Sequence, residues 1–117
     1  ALIGIPWWNV IGNHDVNTDA PAATDFEDTY NRVYGPSHYS FDYGPVHFVA
    51  LNNIDWVPPG NRGTNGPTWR SGIDPQQLAW LRNDLALVPE KQLVVLMMHV
   101  PIYDMANREE VYRLIEK

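Results

Sequence analysis

The stretch Leu93-Val94-Val95-Leu96-Met97-Met98-His99-Val100-Pro101 sets the fold class. Residues 93–98 are all apolar, and the run has the length of a strand rather than of a helix. An unbroken run of this kind suits a strand covered on both faces, as in parallel sheets. It delivers His99 at its carboxyl end. In open α/β sheets, ligands gather at the carboxyl ends of strands.

A second strand end has the same grammar. Pro6 to Ile11 is apolar and bulky, a candidate buried strand, and runs into Gly12-Asn13-His14-Asp15. Gly12 lets the backbone turn sharply, so that the next side chains leave the strand end. Asn offers a carbonyl oxygen, and His offers a neutral ring nitrogen or, when protonated, an acid. All are good partners for a metal or a phosphate. The same residues are also ordinary turn chemistry, and a histidine at a strand end often serves a structural hydrogen bond.

The intervening sequence alternates strand and helix signals. Thr24 and Glu27 have capping-box spacing, and Phe26, Tyr30, Val33 and Tyr34 share one helical face that Gly35-Pro36 ends. Tyr39 to Tyr43 alternates aromatic and polar residues, Gly44-Pro45 turns, and Val46 to Leu51 returns as a more buried partner. Residues 52–73 read as a long structureless loop carrying Trp56, Arg62, Trp69 and Arg70. Loops of that length in compact domains are often functional, so this one is a candidate substrate loop, its arginines facing an anionic group. The alternative is a surface flap packed by its own tryptophans. Asp74-Pro75 starts a helix with Leu78, Leu81, Leu85 and Trp80 inward. Asn107 and Glu110 cap a last helix whose Val111, Leu114 and Ile115 face inward. Trp7, Trp8, Trp80 and Tyr30 are expected in the core, His47 as a core or cross-strand residue and His38 in a loop.

Composition bounds the function. The 117 residues suit one domain with a modest core. The net charge is −6 and uneven: up to Pro58 there are seven acids against Arg32 alone, and afterwards seven of each sign. Such an acidic half disfavours a nucleic-acid backbone as partner. No apolar run reaches the roughly 18 residues that span a membrane. There is no cysteine, so disulfides, thiolate metal sites and cysteine nucleophiles are excluded. No signal peptide is visible, and the compartment stays open. The opening Ala1-Leu2-Ile3-Gly4-Ile5 lies inside an apolar run, and the last helix has no glycine cap, so both ends read as boundaries of a segment.

Four blocks together resemble the calcineurin-like metallophosphoesterases, in that family's order and across nearly the whole chain. Val10-Ile11-Gly12-Asn13-His14-Asp15 resembles the Gly-Asn-His-Asp/Glu motif. Tyr39–Gly44 with Val46–Asn52 resembles the family's strand pair, and Gln77–Leu81 with Leu85 the helix that follows. Val94–Pro101 resembles the strand whose terminal histidine binds metal. The resemblance implies an α/β fold: an αββα sandwich of mixed sheet strands and flanking helices, here incomplete. It implies that Asn13 and His99 are ligands of the second metal, that His14 sits by the substrate phosphate, and that Gly12 and Asp15 support the turn. It further implies two divalent ions, Mn, Fe or Zn, about 3.5–4 Å apart with a bridging hydroxide attacking phosphorus.

The Asp-x-His and Gly-Asp-x-x-Asp motifs that precede this region in the family are missing, as is the later Gly-His-x-His motif. No spacing singles out Asp42, Asp55 or Asp104 as substitutes. Residues 1–117 are therefore expected to be one segment of a phosphoesterase catalytic domain, inactive and without bound metal by itself. The implied substrate is a small phosphomonoester or phosphodiester, with no membrane or nucleic-acid partner. The alternative is a non-catalytic scaffold with the same fold. A sheet cut in this way is expected to self-associate through exposed edges.

Overall fold

The computed structural model describes residues 4–116; Ala1 to Ile3, which begin the apolar opening run, and Lys117 lie outside the described residues. Two short helices, α1 (Ala23–Phe26) and α2 (Asp28–Tyr34), precede a hairpin of β1 (Tyr39–Tyr43) and β2 (Val46–Ala50). Then come β3 (Ile54–Trp56), β4 (Trp69–Ser71), α3 (Pro75–Ala86), β5 (Leu93–Met97) and α4 (Arg108–Ile115). The architecture is mixed α/β, with a mixed sheet and flanking helices. β1 pairs antiparallel with β2, and β2 pairs parallel with β5, with Ala50 opposite Met97. The carboxyl ends of β2 and β5 thus open on the same edge, one leading to Asn52-Asn53 and the other to His99.

One face of this sheet makes the main core. Val49, Val94 and Leu96 meet Leu78, Leu81 and Leu85 of α3 and Val111 and Leu114 of α4, with Met105 buried between. Fully burying a side chain such as Val49, Leu81 or Val111 contributes on the order of 1.5–3 kcal/mol, and the half-buried ones less. The start of α3 follows its sequence signals: Asp74 accepts from the Gln77 backbone N–H at 2.9 Å, and Pro75 occupies the first turn. Gln77 is itself buried and grips Asn52 twice, accepting from its N–H at 2.8 Å and donating to its C=O at 2.7 Å. Gly44 turns the β1–β2 hairpin at φ 58.

Several expectations are corrected. Residues 6–11 form no strand. A strand needs a ladder partner, and this segment instead lies against the other face of the sheet. There Trp8 stacks on Phe41 at 3.9 Å, Phe41 stacks on its register partner Phe48, and Tyr39 Oη donates to Asn9 O at 2.6 Å. Trp7 and Trp8 are accordingly 61% and 52% exposed rather than core.

The first helix breaks at Glu27, and Ala22, not Thr24, is its N-cap, so no capping box forms. The Glu27 carboxylate instead accepts from Asn52 Nδ2 at 2.6 Å. Phe26 and Tyr30 are buried, but Val33 and Tyr34 are exposed.

Residues 52–73 are not structureless. Asp55 pairs with Arg70 and Trp56 with Trp69 across the antiparallel β3–β4 ladder. β5 is only half-buried and Leu93 is exposed, because β5 has β2 on one side and no other strand among the described residues. Asn107 caps α4 without its side chain, which instead bonds the Ile73 backbone as acceptor at 3.1 Å and donor at 2.9 Å. Ile115 is exposed.

Candidate functional site

The turn after Ile11 is closed by its own residues. Asp15 N–H donates to Gly12 C=O at 3.0 Å, and Gly12 N–H donates to the Asp15 carboxylate at 2.8 Å. The carboxylate is spent on the loop. Asn13 is left half-buried and His14 exposed at the tip. Gly12 itself lies beneath the His99 ring: a Cβ there would stand 3.1–3.3 Å from three ring atoms. That close approach is why a glycine suits the position.

The turn after Ile11 and the end of β5 meet. His99 Nε2 lies 2.9 Å from Asn13 Oδ1, joining residues 86 apart in sequence. Two donors at right angles on one ion, each with a bond of about 2.0–2.1 Å, stand about 2.9 Å apart. The pair therefore has the spacing of a hydrogen bond and equally that of one edge of a metal's ligand shell. The fit stops at two neutral donors: the described residues contain no group of three or more His, Asp or Glu that could hold an ion. Asp42 is engaged by His47 and Asp55 by Arg70.

His99 owes its place to Asn53, which the sequence reading missed. Asn53 is completely buried. Its Nδ2 donates to Val100 C=O at 2.7 Å, and Val100 N–H donates to its Oδ1 at 3.2 Å. The side chain thus imitates a strand neighbour for the residue following His99. An Asn after an apolar run ordinarily signals only a turn, so no pattern in the sequence marks it.

Tyr30 is buried, and its hydroxyl has no hydrogen-bond partner among the described residues. Burial first, then the nearby Tyr39 and Asp15, push its pKa up to about 12.

The hairpin β3–β4 adjoins the site. Trp56 and Trp69 pack against the buried cluster of Ala20, Phe26 and Ile54, which Val16 and Val100, the residues directly after Asp15 and His99, also pack against. Both arginines of the hairpin are tied within it. Arg62 Nε donates to Val57 C=O at 2.7 Å with its guanidinium 5.8 Å from the Trp56 ring centre, and Arg70 Nε donates to Asp55 at 2.8 Å. Gly66 is obligatory here, since a Cβ would fall 1.4 Å from the Arg62 carbonyl oxygen.

The architecture is mixed α/β, and the one comparison that matches gives a coarse likeness to a phosphatase. The chain is 28% identical over 101 residues to the serine/threonine-protein phosphatase CPPED1 of Pongo abelii. The aligned region is 85% of this chain and spans only 29% of that phosphatase's length. No family model matches the chain. No solved structure matches it either. No described helix is long and apolar enough to cross a membrane.

Proposed function

We propose that this chain carries part of the two-metal centre of a phosphoesterase. The observation that carries the reading is the 2.9 Å approach of His99 Nε2 to Asn13 Oδ1. Likeness to a protein phosphatase supports it. Asn13 and His99 would hold one divalent ion through oxygen and nitrogen, with carboxylate and histidine ligands supplied from outside these 117 residues. A divalent pair of Mn, Fe or Zn supplies, when bound, an activated water and charge neutralisation at phosphorus. His14, exposed at the turn, would donate to a phosphoryl oxygen or protonate the leaving oxygen. The hairpin tryptophans share a hydrophobic cluster with Val16 and Val100, next in sequence to Asp15 and His99. The substrate class is a small phosphate ester.

The test uses the longest natural reading frame containing this chain, loaded with Mn²⁺ or Zn²⁺. His99→Ala and Asn13→Ala each lower metal occupancy and phosphate-ester hydrolysis, whereas His14→Ala lowers hydrolysis and leaves occupancy intact. Unchanged occupancy and turnover in His99→Ala would overturn the proposal. The isolated chain is expected to bind neither ion tightly, since two neutral donors hold a divalent cation poorly. A scaffold without catalysis is the second reading, favoured by the absence of a third ligand among the described residues. It gains if that reading frame encodes no Asp-x-His or Gly-His-x-His motif.

A further inference from the structure

A cluster of titratable groups lies away from this site, where β1, β2 and α3 meet. His47 of β2 is 7% exposed and uses both ring nitrogens. Nδ1 lies 2.8 Å from Asp42 Oδ1 of β1, and Nε2 lies 2.8 Å from Asp84 Oδ2 of α3. Ser40 Oγ donates to Asp84 Oδ1 at 2.6 Å, and Gln92 Nε2 donates to Asp42 Oδ1 at 3.1 Å. The surrounding elements add no further charge at the ring: its register neighbour on β5 is Val94, and Leu87 and Val88 line the adjoining pocket. The ionisable groups acting on the imidazole are Asp84 and Asp42.

We propose that His47 is a pH-dependent clasp: as an imidazolium it bridges Asp42 and Asp84, and on losing a proton it keeps Asp84 and releases Asp42. The chemistry follows from the donor count. Only the imidazolium has two N–H donors; a neutral ring turns one lone pair toward a carboxylate, which repels it. The proton lost to solvent is the one on Nδ1. Asp42 is 65% exposed and regains water readily, whereas Asp84 is 15% exposed and would be stranded. The neutral form is therefore the Nε2–H tautomer.

Burial by itself favours the neutral ring, but the hydrogen bonds to Asp84 and Asp42 and their charges outweigh it, and the folded pKa is raised. A raised histidine value means that the clasp's contribution is fully present below about 6.5 and is lost as pH climbs through the folded value. Helix α3 is pinned to β2 a second time through Gln77 and Asn52, and both of those groups are neutral. Raising the pH thus loosens the Asp42 end of the hairpin and leaves the Asn52 end, beside the candidate site, unchanged. This inference does not depend on the phosphoesterase reading.

Nitrogen-15 NMR titration of the His47 ring in the whole chain tests it, together with amide exchange above and below the midpoint. The expected midpoint lies above the 6.5 or so of a free imidazole, with the Nε2–H tautomer above it. Exchange at 42–46 should quicken there while exchange at 50–54 holds. Asp42→Asn, at an exposed position, should move the midpoint down. A midpoint at or below about 6.5, a neutral Nδ1–H form, or a midpoint indifferent to Asp42→Asn would each overturn the clasp.

Discussion

Asn53 and Val100 face each other across the ends of two parallel strands, the amide of one reproducing the peptide ladder for the other, with contacts of 2.7 and 3.2 Å. The relationship places His99 without touching it. Replacing Asn53 with Ala leaves the part-buried N–H and C=O of Val100 without their partner. The expected loss is about 2–3 kcal/mol of unfolding free energy, read from urea denaturation. The His99 ring signals should shift in the same variant, because the backbone beside the ring is no longer held. A stability loss below about 0.5 kcal/mol would mean that water replaces the amide.

Gly12→Ala tests the packing beneath the ring. The added methyl would meet His99 at 3.1–3.3 Å, so the imidazole must give by a few tenths of an ångström, which disturbs its 2.9 Å contact with Asn13. If Asn13 and His99 hold a metal as proposed, a disturbance beside a ligand is expected to cost on the order of 10–100-fold in metal affinity. Competition with a chelator, run on the metal-loaded parent protein, measures it.

Tyr30→Phe should be neutral or stabilising by up to about 1 kcal/mol, since the removed hydroxyl is buried and unpartnered. The pH dependence has a definite sign. With the folded phenol at about 12 against 10.0 unfolded, the native state retains its proton longer. The contribution is complete below pH 10 and declines from there towards the folded value of about 12. Alkaline denaturation monitored by circular dichroism should therefore be shallower in the Phe variant.

Self-association is expected through the side of β5 that has no strand neighbour among the described residues, where Leu93 is 62% exposed. Sedimentation velocity should show a concentration-dependent dimer. Leu93→Lys should suppress it with a stability change within about 0.5 kcal/mol. A monomer at every concentration would count against this use of the edge.

Local chemistry made much of the fold legible. Gly44-Pro45, Asp74-Pro75 and the alternation in Tyr39–Tyr43 each specify a turn, a helix start and a strand by sterics and hydrogen bonding within a few residues. The turn at Gly12-Asn13 and the end of the 93–98 strand at His99 were readable for the same reason, although no strand precedes the turn, and the structure brings the two side chains together. What stayed hidden depends on partners distant in sequence. Pro6–Ile11 has strand composition and no ladder neighbour, so it stacks Trp8 on Phe41 instead. Glu27 has capping-box spacing but is drawn off to Asn52, twenty-five residues away. The β3–β4 hairpin lay behind Pro58-Pro59-Gly60 and Asn65-Gly66-Pro67, which read as loop until Trp56 and Trp69 are seen side by side. Asn53 was silent because a polar side chain that replaces a strand neighbour leaves no periodicity.

The aromatic stack has a consequence for the geometry of the donor pair. Trp8 and Asn9 hang the approach to Gly12 from Phe41 and Tyr39, which belong to β1. His99 follows β5. These are the two outer strands of a three-stranded sheet, so the route from one donor to the other through the protein crosses its full width. The contact between Asn13 and His99 closes that route into a ring. At about 4.8 Å per strand gap, a modest change in twist is felt twice before it reaches the donors. The bite of the pair is thus a gauge of how tightly the three strands hold together.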